Sequence, residues 1–344
     1  MGRVDRRKEA AMEQAQVKQA KDLHKERILS KPNVVGVGLG YKETRGKRTD
    51  ELCVVALVRR KVPEAGLLPS DLVPREVEGI PTDVMDVGYL RALAARTDRW
   101  RPAPGGVSIG HYKITAGTFG TVVRDRSSGE RLILSNNHVL ANSNDASVGD
   151  PILQPGTADD GREDLDTIAE LARFCPIQFV SEPATCGIAL GVVSVGNWVA
   201  KLVGSHHRLM AYQTNPQAVN MVDCAVARPL NQDDILDEIL DIGTVSGTVE
   251  ASLGMAVRKS GRTTELTTGQ ITVLDASVTV SYGDKTAAYE GQLVAGPMSQ
   301  PGDSGSLLVE AGGLRAVGLL FAGSEQATIF NPIREVLDCL EVDL

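Results

Sequence analysis

The chain is predicted to be mainly β, with an N-terminal helix and a small α+β domain ahead of the β-rich part. Three observations predict this. Residues 4–30 are rich in Glu, Gln, Lys and Ala and contain no Gly or Pro. Residues 32–88 place strand-like runs around turn signals. From Thr115 onward the sequence falls into short apolar runs divided by polar, Gly-rich turns.

Size and composition narrow the function classes. A chain of 344 residues can hold two or three modules with real cores. Apolar residues make up 42% and there are 35 glycines, an ordinary globular composition with many turns. The formal charge of -8 argues against nucleic acid as the main partner. Five cysteines are too few and too odd in number for a disulfide framework. The N-terminus is charged from Arg3 and carries no apolar signal region, so a cytoplasmic location is expected. Residues 188–203 lean apolar, but Ser194, Asn197 and Lys201 interrupt them. That run is too short and polar for a membrane span, and no membrane partner is expected.

The helix ends at Pro32. Its apolar stripe is thin (Met12, Ala15, Ala20, Leu23 and Ile28) and its charge is net basic. It reads as a solvated helix, or as a contact helix for a homo-oligomer or a regulatory partner. In residues 32–88, strands are expected at 33–41 and 52–58, forming a hairpin around Arg45-Gly46-Lys47. A helical turn is expected at 69–72, and short strands at 75–78 and 82–87. Gly36, Gly38 and Gly40 lack the following helix and the Lys-Ser/Thr of a phosphate loop, so close backbone packing explains them better. Residues 89–106 are basic and rich in Pro and Gly, a linker.

In the β-rich part, runs at 115–123 and 130–134 flank a polar turn, and His138 follows directly in Leu134-Ser-Asn-Asn-His-Val-Leu140. Strand signals recur at 151–153 and 166–174. A helical insertion is expected at about 186–204, either shaping the cleft as a lid or simply covering the barrel. Asp223 lies in the apolar segment Asn220-Met-Val-Asp-Cys-Ala-Val-Ala227. An acidic connector with a helical turn at 231–241 leads to a second group of strands at about 242–331, and a helix at about 332–341 closes the chain. Between two of those strands lies Gln300-Pro-Gly-Asp-Ser-Gly-Ser306. A serine boxed by glycines can be exposed on a tight turn with N–H groups beside it, as an acyl-transfer nucleophile requires.

A histidine, an aspartate and a serine in this order, each beside an apolar strand, resemble the chymotrypsin-like serine peptidases. The likeness covers residues 107 to 337 or so. It extends to Ser260-Gly-Arg-Thr-Thr-Glu-Leu-Thr-Thr-Gly-Gln-Ile271, similar to the opening of the second barrel in bacterial members. Thr268 stands where some members carry a disulfide cysteine. The resemblance implies a double β-barrel, with the first barrel at about 107–230, in a bacterial-type intracellular member with an accessory N-terminal domain. It implies His138 as general base, Asp223 as its orienter, Ser304 as nucleophile, and the N–H groups of Gly302 and Ser304 as oxyanion hole. Peptide bonds of a protein or peptide substrate would be hydrolysed. The alternative is an idle or gated scaffold that binds peptides or partners; an esterase using the same three residues is a further possibility.

The resemblance also implies a pocket near Met298, Phe321, Ala322 and Thr328. Met298 offers no charge for a Lys or Arg side chain, so a small or medium apolar side chain is the expected preference. In secreted members a newly cut N-terminus buries itself against the Asp of Gly-Asp-Ser-Gly. Val107 after Gly106 would be an odd cleavage site, so Asp303 needs another partner or the turn forms without cleavage. No cofactor and no metal are expected. His206-His207 with Cys175 and Cys186 make a poor metal set, and those cysteines are expected to be reduced. The Ser-x-Ser spacing and the residue order exclude an α/β-hydrolase.

Overall fold

The computed structural model describes residues 2–44, 46–88 and 94–344. The chain divides into two compact units, residues 1–94 and 95–344.

In the first unit, α1 (Gly2–Leu29) packs on a four-stranded sheet. The strands are β1 (Val34–Thr44), β2 (Lys47–Val58), β3 (Glu76–Val77) and β4 (Ile80–Asp86), in the order β1-β2-β4-β3. β1 and β2 form an antiparallel hairpin, while β2 and β4 run parallel. The helix contributes Val17, Ala20 and Ile28 to a core with Val54, Ala56 and Val77. This differs from the expected stripe: Met12 and Leu23 are 66% and 67% exposed. Helical spacing of three and four puts Val17, Ala20, His24 and Ile28 on one face, and His24 Nε2 lies 3.0 Å from Glu78 Oε1. A Cβ on Gly40 would lie 2.8 Å from Val55 Cγ2, which accounts for a glycine there by packing.

The second unit opens with β5 (Ala103–Gly105), β6 (Ser108–His111), β7 (Gly117–Thr118), β8 (Thr121–Asp125) and β9 (Arg131–Ser135), followed by α2 (Asn137–Leu140). Next come β10 (Pro151–Leu153), α3 (Glu163–Asp166) and β11 (Thr167–Phe174). An arm follows, made of β12 (Ser181–Pro183), α4 (Gly187–Leu202) and β13 (Tyr212–Thr214). β14 (Ala225–Pro229), β15 (Ile235–Ile239) and β16 (Gly243–Thr244) complete the first half. The second half holds β17 (Ala256–Gly261), β18 (Glu265–Tyr282), β19 (Lys285–Ala295), β20 (Leu307–Glu310), β21 (Ala316–Gly323) and β22 (Thr328–Pro332). α5 (Ile333–Cys339) and β23 (Val342–Asp343) end the chain.

Two eight-stranded sheets result, β23-β8-β9-β14-β11-β10-β6-β7 and β13-β12-β19-β18-β17-β20-β21-β22. In the second, β19 also pairs with β22, which closes the six strands from β17 to β22 into a barrel. The two halves share a core in which Leu134 and Val226 of the first meet Leu307 and Leu319 of the second, with Val336 and Leu337 of α5. Alternation along each strand sends these residues inward.

Three expectations need correction. Residues 95–106 are not a free linker but part of the second unit; residues 89–93 lie outside the described residues. Arg96 is buried, donating to Ser260 Oγ at 2.7 Å and Gly106 O at 3.1 Å. The acidic stretch 231–241 has the expected helical turn at Gln232–Asp234 but continues into a strand: β15 pairs in parallel with β5, with Ile235 and Ile239 facing the core. Cys175 is disulfide-bonded to Cys339, so the bridge ties the end of β11 to α5, and Cys224 Sγ stands 3.4 Å from Cys175 Sγ.

Candidate active site

β9 runs in the core until Ser135, then the chain turns into α2, whose second residue is His138. The imidazole Nδ1 lies 2.6 Å from Asp223 Oδ2, and the backbone N–H of His138 donates to Asp223 Oδ1 at 3.2 Å. Asp223 is completely buried just before β14. Its own backbone is held on both sides: its N–H donates to Asn331 Oδ1 at 3.0 Å, and its carbonyl accepts from Asn136 Nδ2 at 2.7 Å. Asn331 is fixed in turn by a 2.7 Å bond to Gln292 Oε1. A buried carboxylate must find donors, and this one finds them on α2 and on the second barrel.

One of these donors was missed in the sequence. Tyr282 Oη donates to Asp223 Oδ2 at 2.8 Å, and its oxygen lies 2.7 Å from Tyr289 Oη. Both tyrosines belong to the β18–β19 hairpin, which turns at Gly283 and Asp284. The Tyr282 ring also meets the His138 ring edge-on at 5.7 Å. Burial, followed by the neighbouring Asp223 charge, pushes the Tyr282 hydroxyl well above its ordinary value, so it stays a proton donor. The alternation Val278, Val280, Tyr282 was the available signal, since all three pack into one cluster.

Ser304 sits on the turn between β19 and β20. Gly302 has φ +98° and Gly305 φ +94°, in the left-handed region that favours glycine. There is no room for a side chain at either: a Cβ on Gly305 would lie 2.4 Å from Thr118 O, and one on Gly302 2.5 Å from Thr263 Oγ1. Thr118 connects this turn to the first barrel. Its N–H donates to Ser304 O at 2.7 Å, its hydroxyl donates to Gly302 O at 2.9 Å, and its carbonyl accepts from Ser135 Oγ at 2.8 Å. Ser135 is three residues before His138, so one threonine locks the serine turn to the strand that delivers the histidine.

Two peptide planes in the turn are set by their carbonyls. Pro301 O accepts from Thr263 Oγ1 at 2.8 Å, and Asp303 O accepts from Ser306 Oγ at 2.6 Å. In a trans peptide the N–H points opposite the C=O. The N–H groups of Gly302 and Ser304 are therefore turned away from Thr263 and Ser306, and neither has an acceptor among the described residues.

Asp303 has the partner that the sequence reading left open. Lys259 Nζ lies 3.0 Å from Asp303 Oδ2, and both side chains are fully buried. Thr264 Oγ1 donates to the same oxygen at 2.6 Å, and Gln300 N at 3.0 Å. The N–H groups of Thr263 and Thr264 donate to Oδ1 at 2.9 and 3.1 Å. Burial alone would raise this carboxyl; the Lys259 charge and these hydrogen bonds hold it below its ordinary value. Lys259 was legible in principle. It lies two residues from Val257 on one strand, on the inward face where alternation demands an apolar residue.

The pocket residues expected from sequence fall in two packed clusters. Met298 is buried in the second-barrel core with Val257 and Leu320, and Phe321 packs on Tyr289 at 4.7 Å in a separate cluster. Thr328 is buried, with its hydroxyl accepting from Met298 N at 3.1 Å. Ala322 is partly exposed on β21. Gly269 packs directly on Met298: a Cβ there would lie 2.9 Å from its sulfur.

Two β-sheet halves, a histidine from the first, a buried aspartate at their junction and a glycine-bounded serine turn on the second are now in place. The second unit has the chymotrypsin-like double β-barrel fold. No family model matches the chain. Among curated proteins it is similar to Streptogrisin-D of Streptomyces griseus, 37% identical over 93 residues, which are 26% of this chain and 22% of that one. Streptogrisin-A of the same organism is 38% identical over 92 residues, 25% of this chain and 29% of that one. The chain thus matches between a fifth and a third of the length of these relatives. Solved structures similar to it include Nocardiopsis protease, with a TM-score of 0.45 at 17% identity, covering 70% of this chain and 99% of that one. Thermobifida fusca Protease A gives a TM-score of 0.44 at 18% identity, covering 70% and 98%.

Proposed function

We propose that the chain is a serine endopeptidase that cleaves protein or peptide substrates through an acyl-enzyme. The observation that carries this reading is the Asp223 carboxylate, buried and bonded to both the ring and the backbone N–H of His138. A carboxylate so placed fixes the imidazole tautomer that leaves Nε2 able to take a proton. Ser304 is the nucleophile, His138 the general base and then acid, and Asp223 stabilises the imidazolium. The Gly302 and Ser304 N–H groups receive the developing oxyanion, at about 3–4 kcal/mol for the loss of one donor. Tyr282 is a positioning residue that holds Asp223.

Labelling by a fluorophosphonate probe tests the core of this reading. Wild type should label, while folded Ser304→Ala and His138→Ala should not. A label that persists in Ser304→Ala would remove that serine from the chemistry, and a folded wild type that stays unlabelled would favour an idle scaffold.

Tyr282→Phe should lower turnover by about tenfold, the loss of one hydrogen bond to a charged group. The loss should fall on kcat, with KM near the wild-type value. A purely packing role for the ring would leave kcat unchanged.

A further inference from the structure

The arm between β11 and β14 presents an apolar surface that the fold does not use. Its two strands, β12 and β13, pair with each other, and Ser181 of β12 pairs with Thr286 of β19. Between them, α4 makes little contact with the rest of the unit, and none of its residues is buried. Asn197 joins it to the returning segment through a 2.7 Å bond from Leu209 N and a 3.0 Å bond to Leu209 O.

The exposed side is the apolar one. Ile188, Val192, Val195, Trp198, Val199 and Leu202 are 81, 68, 63, 62, 46 and 66% exposed. At roughly 100° per residue these exposed side chains span about 120° of the helix circumference. Ala189, Val193, Gly196 and Ala200, on the adjoining sector, are only partly exposed, and Ser194, Asn197 and Lys201 lie on the far side. The charge pattern is equally one-sided. No carboxylate occurs from residue 183 to residue 222, where Lys201 and Arg208 stand beside His206 and His207, in a chain of net charge -8.

From this geometry we infer that the arm is an interfacial anchor that lays α4 on an anionic phospholipid surface. The exposed apolar arc enters the acyl boundary, Trp198 at its edge sits at the headgroup level, and Lys201 meets the lipid phosphates together with Arg208, whose Nη1 also donates to Ser205 O and His207 O. Sixteen residues span about 24 Å, less than the roughly 30 Å hydrocarbon core, so the helix lies along the bilayer and does not cross it. None of the described helices is long and apolar enough to cross a membrane. The expectation of no membrane partner considered only spanning; lying on a surface needs neither the length nor the uniform hydropathy. This inference does not rest on the peptidase reading, and its test does not measure activity.

The full chain is sedimented with phosphatidylcholine vesicles, and with vesicles that also contain phosphatidylserine, at low salt. Binding to the mixed vesicles is expected, with a blue shift of tryptophan emission that is lost in Trp198→Phe. The variant Val192→Asp/Val195→Asp/Trp198→Asp changes only exposed side chains and should fold but stay in the supernatant. Lys201→Glu/Arg208→Glu should weaken binding to the mixed vesicles by roughly thirtyfold or more, at about 1 kcal/mol per cation. Absence of wild-type binding, or equal sedimentation of the triple variant, overturns the inference. So does a dimer by light scattering that the triple variant dissolves, since a second copy would then cover the face.

Discussion

Asp223→Asn is expected to reduce turnover about 10⁴-fold while leaving the fold intact. The amide can still accept from the His138 backbone N–H, from which Asp223 Oδ1 accepts at 3.2 Å. Its NH2 group, however, faces Nδ1 where an acceptor is required, so the imidazole is held with its proton on the wrong nitrogen. The charge that balances the imidazolium is also gone. Both effects act on proton transfer and neither on substrate contact, so kcat should carry the loss and KM should stay near the wild-type value. A loss confined to KM would mean that Asp223 only supports the cleft. Fluorophosphonate labelling, slowed but eventually complete, would show that Ser304 is still presented.

The second large effect is expected at a residue that touches no substrate. Lys259→Met leaves the Asp303 carboxylate buried without its cation, and breaking such a pair costs about 3–5 kcal/mol. Asp303 organises the serine turn through the N–H groups of Gln300, Thr263 and Thr264, so labelling of Ser304 should fall with stability. Adding Asp303→Asn should restore most of the denaturation midpoint, because a neutral carbonyl still accepts from Thr263 and Thr264. An unchanged midpoint in Lys259→Met would show that the pair contributes little. The pH dependence has a definite sign. In wild type the Asp303 carboxyl is held below its ordinary value. Its contribution is complete above the ordinary value of about 4 and is lost as pH falls through the lower folded value. In Lys259→Met burial acts unopposed by that cation and raises the carboxyl, so acid loss of turnover should begin at a higher pH than in wild type.

The repeating patterns of the sequence translate into structure where local chemistry decides. The β-rich part, the helix over 187–202 and the glycine-bounded turn at Ser304 all follow from periodicity and from residues that tolerate few conformations. His138 and Asp223 could be nominated because each stands beside an apolar strand, and the structure places their side chains in contact. What sequence could not supply was any contact between distant strands. Lys259 meets Asp303 across 44 residues, and Tyr282 meets Asp223 across 59. Alternation places Lys259 and Tyr282 on inward faces, but only closure of the barrel reveals their partners. The surroundings of the expected pocket residues were hidden for a related reason. Met298 and Phe321 stand at suitable positions along the chain, but their side chains turn into two different cores. The bridge from Cys175 to Cys339 joins chain positions 164 apart and likewise leaves no local trace.

The two-residue turn of the β18–β19 hairpin gives the molecule a shared joint. On one side of it Tyr282 holds Asp223; on the other, Thr286 pairs with Ser181 at the root of the arm. Lys285 pins the same turn to Asp145 with a 2.9 Å ion pair. A displacement of the arm that reached Thr286 would act four residues from Tyr282. Linkage makes such influence reciprocal: whatever free energy the arm's contacts lend to the cleft, an occupied cleft returns to the arm.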